Sequence, residues 1–409
     1  MYRKLLLLLV ISLMSIPLFA QDVTTKNDSI VESMNSTIKE LKKIKISGYI
    51  QTQWQLAESE GIKSFSGGDF PADSKSRFMV RRGRLKVTYD NILSKYVMQI
   101  DVTEKGFAIK DVYANFKEPW IKSFGLTAGV FERPFGFEIG YSSSLRESPE
   151  RSRLFQTLFP NERDLGAMIS YIPADGMLSF LNVQAGVFTG NGTSPETDNY
   201  KDFIGRVGFQ TPAKKEFQVS GGVSGYFGKV QMDKGKYSSE FTGSNLIIDS
   251  VNRGYDRTYL GADLQVNFQI PVLGNTALRG EYITGKQPGN QNTSSYYKVG
   301  SGDLYLRDFN GYYAMLVQNI GEQNQLVVKY DVYDPNRKDN DNTYINSAGD
   351  MKFSTLGLGW LYYFDKNIKF TLYYEMVKNE GTVSNPVAFV PLAKDIKDNV
   401  LTLRMQYKF

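Results

Sequence analysis

From Ile46 to Phe409, apolar and polar side chains alternate in segment after segment. A period of two sends successive side chains to opposite faces of an extended strand, so such a chain must build walls with one greasy and one wettable side. The last segment is the clearest. Leu401, Leu403, Met405, Tyr407 and Phe409 alternate with Thr402, Arg404, Gln406 and Lys408. The same holds where Ile368, Phe370, Leu372, Tyr374 and Met376 are set against Lys369, Thr371, Tyr373 and Glu375, and where Leu260, Leu264 and Val266 are set against Asp263, Gln265 and Asn267. There are about sixteen such segments, most of roughly ten residues, which is the length of a tilted strand crossing a bilayer. They are expected at 45–56, 77–90, 95–103, 107–117, 124–131, 165–172, 178–189, 202–210, 216–228, 257–270, 276–285, 309–319, 325–333, 351–364, 367–378 and 399–409.

The connections sort by length in alternation. Brief ones fall at Asn91–Ser94, Glu118–Ser123, Pro173–Met177, Thr211–Lys215, Pro271–Asn275, Ile320–Asn324 and Asp365–Lys366. Long ones fall between them, at 57–76, 132–164, 229–256, 286–308, 334–350 and 379–398, and only 104–106 departs from the pattern. Short turns at one end and long loops at the other describe an antiparallel up-and-down barrel spanning an outer membrane. Aromatic residues flank the short turns, as with Tyr89 and Tyr96, Phe116 and Phe124, or Phe364 and Phe370. Amphipathic rings settle at headgroup depth, so this reads as an aromatic girdle. The fold expected is all-β: a transmembrane antiparallel barrel of about sixteen strands over residues 46–409, in a Gram-negative outer membrane.

The N-terminus fits export. Arg3 and Lys4 precede an apolar run from Leu5 to Met14, and Leu18-Phe19-Ala20 offers a cut, so residues 1–20 read as a signal peptide. Residues 21–45 are polar and read as a periplasmic extension. In it Val31, Met34, Ile38 and Leu41 have heptad spacing, which suits a short helix packing against copies of itself. Two heptads equally suit a frayed linker.

Composition closes off much chemistry. The formal charge of +5 is small and evenly spread, which argues against nucleic acid as a partner. The chain has neither cysteine nor histidine. That removes disulfides, thiolate and imidazole metal sites, and the commonest nucleophile and general base pairs. Acidic residues are abundant, but no spacing singles out a catalytic pair. No enzyme activity, metal or cofactor is expected. Two glycosylation-like triplets, at Asn191 and Asn292, carry no weight in a bacterial export product, and the glycine runs at 221–225 and 357–359 lack the Gly-Lys-Ser/Thr of a phosphate loop.

The longest connection, Phe131 to Gly166, carries Arg133, Arg146, Arg151, Arg153 and Arg163 among aromatic and apolar residues. A free loop of that length is usually functional or disordered. The expectation is that it folds into the barrel mouth and narrows it. On the second segment Leu85, Val87 and Tyr89 must face lipid, which puts Arg82, Arg84 and Lys86 together on the lumenal face. These three form a candidate anion track along the wall, and the five loop arginines a candidate constriction. Acids accompany them, among them Asp101, Asp111, Glu132, Glu138, Glu147, Glu150, Glu162 and Asp164. Arg163 beside Asp164 and Arg133 beside Glu132 therefore read as structural pairs first.

The chain resembles the phosphate-selective porin O and P family of Gram-negative outer membranes. The residues that carry the resemblance are Arg81-Arg82-Gly83-Arg84-Leu85, Gly129-Val130-Phe131-Glu132-Arg133-Pro134-Phe135-Gly136-Phe137-Glu138, Asn161-Glu162-Arg163-Asp164-Leu165-Gly166 and the terminal Phe409. It implies a sixteen-stranded homotrimer whose third loop folds inward and whose lumen favours anions. The acids named above set general porin activity with mild anion preference ahead of phosphate specificity. The function expected is thus a passive channel for small hydrophilic solutes. The alternative is a surface adhesin or carbohydrate-binding barrel using aromatic-polar loops such as 293–306 and 339–347.

Overall fold

Sixteen alternating segments have unpaired edges only if the sheet stays open, and in lipid an open edge strands its backbone groups. The computed structural model closes the sheet. It describes residues 18–196, 198–212, 217–238, 247–249, 253–289, 300–301, 304–337, 348–380 and 394–409. The stretch 339–347 and most of 293–306, where surface recognition was the alternative, lie outside these residues.

Eighteen strands form one sheet. Two are fragments, Ile247–Asp249 and Gly300–Ser301, and the other sixteen are the wall. In chain order these are β1 (Ile44–Ala57), β2 (Ser76–Asp90), β3 (Ser94–Thr103), β4 (Gly106–Lys117), β5 (Phe124–Glu132), β6 (Arg163–Tyr171), β7 (Leu181–Phe188) and β8 (Asp202–Gln210). They continue as β9 (Phe217–Ser238), β10 (Arg253–Ile270), β11 (Gly274–Gly289), β12 (Leu304–Ile320), β13 (Asn324–Asp334), β14 (Phe353–Tyr363), β15 (Ile368–Asn379) and β16 (Val400–Lys408). Each pairs antiparallel with the next, and β16 returns to β1 from Tyr49↔Lys408 to Ala57↔Val400. All sixteen expected segments are strands.

The two faces separate as the alternation requires. On β16, Leu403, Met405 and Tyr407 are exposed on the outer wall while Thr402, Arg404 and Gln406 are buried inside. The girdle rings Tyr96, Phe116, Phe124, Phe209, Phe217, Phe364 and Phe409 point outward, with Tyr96 at 6.0 Å from Phe116 and Phe124 at 4.8 Å from Tyr171.

Two expectations change. The loops placed at 229–256 and 286–308 begin and end as strand, since β9 runs on to Ser238, β10 starts at Arg253, β11 reaches Gly289 and β12 starts at Leu304. Beyond the bilayer both faces meet water, so the period-two signal fades while ladder pairing continues. Secondly, the first external loop, 58–75, also turns inward. Its Ile62 and Phe70 are buried with Ala57 and Val400, and Gln55 on β1 donates to the Ser66 carbonyl at 2.6 Å.

Ahead of the wall, a helix, α1, covers Leu18–Leu41. It is tied to the rim where the Tyr89 hydroxyl donates to Glu40 at 3.2 Å.

Candidate functional site: the loop-constricted lumen

The third external loop, 133–162, enters the lumen between β5 and β6. Gly136 starts the turn with φ +62°, a left-handed conformation suited to glycine, and a Cβ there would run into the Glu281 carboxylate. That carboxylate, on β11, accepts from the backbone N–H of Phe137 at 2.8 Å and of Glu138 at 2.6 Å, and from the Tyr313 hydroxyl at 2.7 Å.

Past this hook the loop is two-sided. One side is apolar: Phe135, Ile139, Leu154, Phe155, Leu158 and Phe159 are almost wholly buried, the last four on or beside a short helix, α2 (Arg153–Leu158). They pack on inward-facing Ile204, Tyr226, Tyr259, Ile283, Phe309 and Tyr313 of β8–β12, with Phe159 at 5.5 Å from Tyr259 and 5.0 Å from Phe135. Each such side chain contributes roughly 1.5–3 kcal/mol by burial. An aromatic core therefore fills that arc of the lumen.

The other side is charged and reaches β2, β11, β13, β15 and β16. Glu150 is its hub. It accepts from Arg81 at 2.9 Å, Arg82 at 2.6 Å and Arg404 at 2.8 Å. Burial works to raise the Glu150 carboxyl, and the arginines prevail, holding it well below the ordinary carboxylate range. Glu147 pairs with Arg279 at 2.7 Å and Glu138 with Lys329 at 2.6 Å, while Lys369 donates to the Arg146 carbonyl at 3.1 Å. Glu138 also caps α2, accepting from the Ser152 hydroxyl at 2.7 Å.

The loop leaves through Asn161 and Glu162, both left-handed at φ +63° and +61°. Left-handed non-glycine residues cost on the order of 1–3 kcal/mol each. The turn places the Glu162 carboxylate between Arg151 and Arg163, the latter at 2.9 Å. Burial tends to raise that carboxyl, yet Arg151 and Arg163 hold it well below its usual range.

What remains open is eccentric, along β2–β8. A cavity of about 710 Å³ on the short-turn side is bounded by Asn91–Ser94 below and the loop above. Among the described residues its charged lining comprises Arg84, Lys86, Lys95, Lys117, Arg133, Arg151, Arg163 and Arg206 against Asp90, Asp111 and Glu132, eight cations to three acids. Several partner acids, such as Asp101 behind Arg84 and Asp263 behind Arg206, stand outside that lining. A smaller cavity of about 230 Å³ lies on the long-loop side, lined by Arg81, Asp101, Glu104, Lys105 and Lys110 among others.

The residues singled out from sequence divide accordingly. Arg84, Lys86, Arg151 and Arg163 reach the large cavity. Arg82 is buried against Glu150. Arg133 lines the cavity edge but is locked to Asp164 at 3.2 Å, and Arg163 is bound by Asp111 at 3.0 Å and Glu132 at 2.7 Å. Neither thus pairs with the sequence neighbour considered above. Arg146 is buried, its Nε and Nη1 without hydrogen-bond partners among the described residues, and burial together with Arg151 and Arg82 pushes it down to about 9. Arg153 lies between Phe65 and Phe353, with ring centres at 4.4 and 3.6 Å, and clamps the first loop to the third. Sequence reasoning missed Arg81, which alternation would aim at lipid.

The barrel resembles solved outer-membrane proteins. Against the anion-selective porin from Comamonas acidovorans the TM-score is 0.56 at 12% identity, covering 90% of this chain and 99% of that one. Against OprB of Pseudomonas putida it is 0.58 at 11% identity, covering 91% and 96%. Against OmpT of Vibrio cholerae in its trimer form it is 0.51 at 12% identity, covering 90% and 99%. No protein-family model matches the sequence, and no curated protein does. The closed wall, greasy outside and polar within, defines a β-barrel of the Gram-negative outer membrane. In particular, the fold is that of a porin, with the narrower likeness to the O and P family resting on its motif residues alone.

Proposed function

We propose that this protein is a passive outer-membrane channel for small hydrophilic solutes, that it prefers anions, and that it is not an enzyme. The observation that carries the anion preference is the eight-to-three excess of cations over acids on the wetted lining. Guanidinium groups backed by carboxylates line this cavity, and their paired acids let them attract an anion without trapping it. In this reading Arg84, Lys86, Arg151 and Arg163 face the solute, while Arg82, Arg133, Arg146 and Arg153 hold the loop in place. Phosphate is one candidate solute, supported by the motif resemblance.

The working form is proposed to be a homotrimer, as the OmpT neighbour is in its trimer form. The exposed stripe Val31, Met34, Ile38 and Leu41 on α1 favours contact between copies, with residues 1–20 removed on export and 21–45 lying in the periplasm.

The test is the reversal potential of the purified protein in a planar bilayer under a KCl gradient. A chloride-favouring potential, reduced in Lys86→Glu and Arg151→Glu, is expected. A non-conducting protein, or one that favours potassium, overturns the reading.

A further inference from the structure

Strict alternation would turn Arg81 and Lys110 toward lipid, because Arg82 and Asp111 beside them face inward. The wall breaks its register at both residues. Along β1 and β2, Gln51 pairs with Arg82 and Thr52 with Val80, leaving Arg81 unmatched. Along β3 and β4, Gln99 pairs with Asp111 and Ile100 with Ile109, leaving Lys110 unmatched. A bulge of one extra residue re-aims a side chain, and here it turns two successive residues to one face. Ile109 and Val112 are both exposed to lipid, so Lys110 and Asp111 between them both point inward.

The two bulged cations then differ. Arg81 is committed to Glu150. Lys110 makes no ion pair or side-chain hydrogen bond among the described residues, although Glu162, Arg84, Arg163 and Asp101 are its charged neighbours. The acids there are already engaged. Glu162 serves Arg151 and Arg163; Asp101 accepts from the Gly83 N–H at 2.9 Å and from Arg84 at 3.3 Å; Asp111 is held by Arg163.

Position adds to this. Lys110 lines the external cavity, whereas Arg84, Asp111 and Arg163 line the vestibule below the loop. Its charged neighbours include Asp101 from the smaller lining and Arg84 and Arg163 from the larger one, so its side chain lies between the two cavities. Around that junction Arg84, Lys110, Arg151 and Arg163 balance Asp101, Asp111, Glu132 and Glu162, so one charge decides the local sign.

We propose that Lys110, delivered inward by the β4 bulge, is the residue that sets the charge preference of the channel between its two cavities. This rests on the reading of the protein as an anion-preferring porin. A solute anion crossing from mouth to vestibule meets Lys110 as its un-neutralised partner and passes to Arg84 and Arg163. A small cation meets the same ammonium as a repelling charge.

The experiment is the reversal potential of the full protein in a planar bilayer under a KCl gradient. Lys110→Gln is expected to lower the chloride-to-potassium permeability ratio by more than tenfold, since one unit charge at roughly 4 Å in water shifts each ion by about fivefold in opposite directions, and Lys110→Arg to keep it. Lys110→Cys gives a second route, because the chain has no cysteine of its own. A cationic methanethiosulfonate added to the open channel should restore the ratio, and an anionic one should drive it toward potassium. Wild-type protein that does not conduct, or that shows no chloride preference, would overturn the anion-preferring reading on which the proposal rests. Wild-type preference that survives both Lys110→Gln and the anionic reagent would overturn the role of Lys110 and leave the reading standing.

Discussion

At the scale of single residues, the lumen is governed by which arginines have a carboxylate and which carboxylate has several arginines. Glu150 serves three, and each was brought to it differently: Arg82 by alternation, Arg81 by a bulge, Arg404 by closure of the barrel. Removing one member of a buried ion cluster strands the others, so Glu150→Ala should destabilise the protein by about 3–5 kcal/mol. Thermal unfolding in detergent checks this. The pH dependence has a defined sign. Glu150 and Glu162 lie well below their ordinary value of 4.5 in the folded protein, burial opposing and arginines prevailing. Their stabilisation is complete above that value and is lost as pH falls through the lower folded values. The melting temperature should therefore hold at mildly acidic pH on their account and drop only in strong acid, with a shallower acid drop in Glu150→Gln. Alternation puts Arg82, Arg84 and Lys86 on one face, and in the structure Arg82 and Arg84 are buried while Arg84 and Lys86 line the large cavity. The sequence could not say that Arg82 would be spent on Glu150 while Lys86 stayed wet, since a partner 68 residues away leaves no local trace.

At the scale of elements, the third loop is held by two different glues. Its α2 face is aromatic and its Glu147–Arg151 face is ionic, so the loop bridges a greasy arc and a charged arc of the same wall. Phe159→Ala removes the ring that touches Phe135, Phe155, Tyr226 and Tyr259. It should cost about 3–5 kcal/mol, loosen the apolar half of the loop, and give a larger and noisier single-channel conductance. A conductance trace indistinguishable from wild type would show that the ionic half holds the loop unaided. The inward course of this loop was legible from its length and its mixture of arginines with phenylalanines. The inward course of the first loop was not. Gln156 donating to the Phe65 carbonyl at 3.0 Å and Arg153 between Phe65 and Phe353 are meetings of distant segments that only the assembled mouth creates.

At the scale of the molecule, the barrel is lopsided. Strands β5–β8 have nine, nine, eight and nine residues, whereas β9–β12 have 22, 18, 16 and 17. The low wall borders the open passage and the high wall backs the aromatic core. The open cavity is thus displaced to one side, and in the proposed channel solute crosses there under a field set by the vestibule cations. Such a field is screened over about 10 Å at 0.1 M salt and about 3 Å at 1 M. The chloride preference measured under gradients of equal ratio should accordingly shrink as the mean KCl concentration rises. A preference independent of salt would point to contact binding alone.

The sequence by itself determined the wall: sixteen strands, their facing, their short-turn and long-loop ends, and the girdle. Those follow from a period of two and from the cost of placing charge in lipid, which act residue by residue along the chain. Tertiary structure alone decided which cations stay open to water, where the aromatic core sits, and how the two bulges re-aim Arg81 and Lys110. Each of these depends on a match between strands or loops far apart in sequence, and alternation carries no information about its own interruptions.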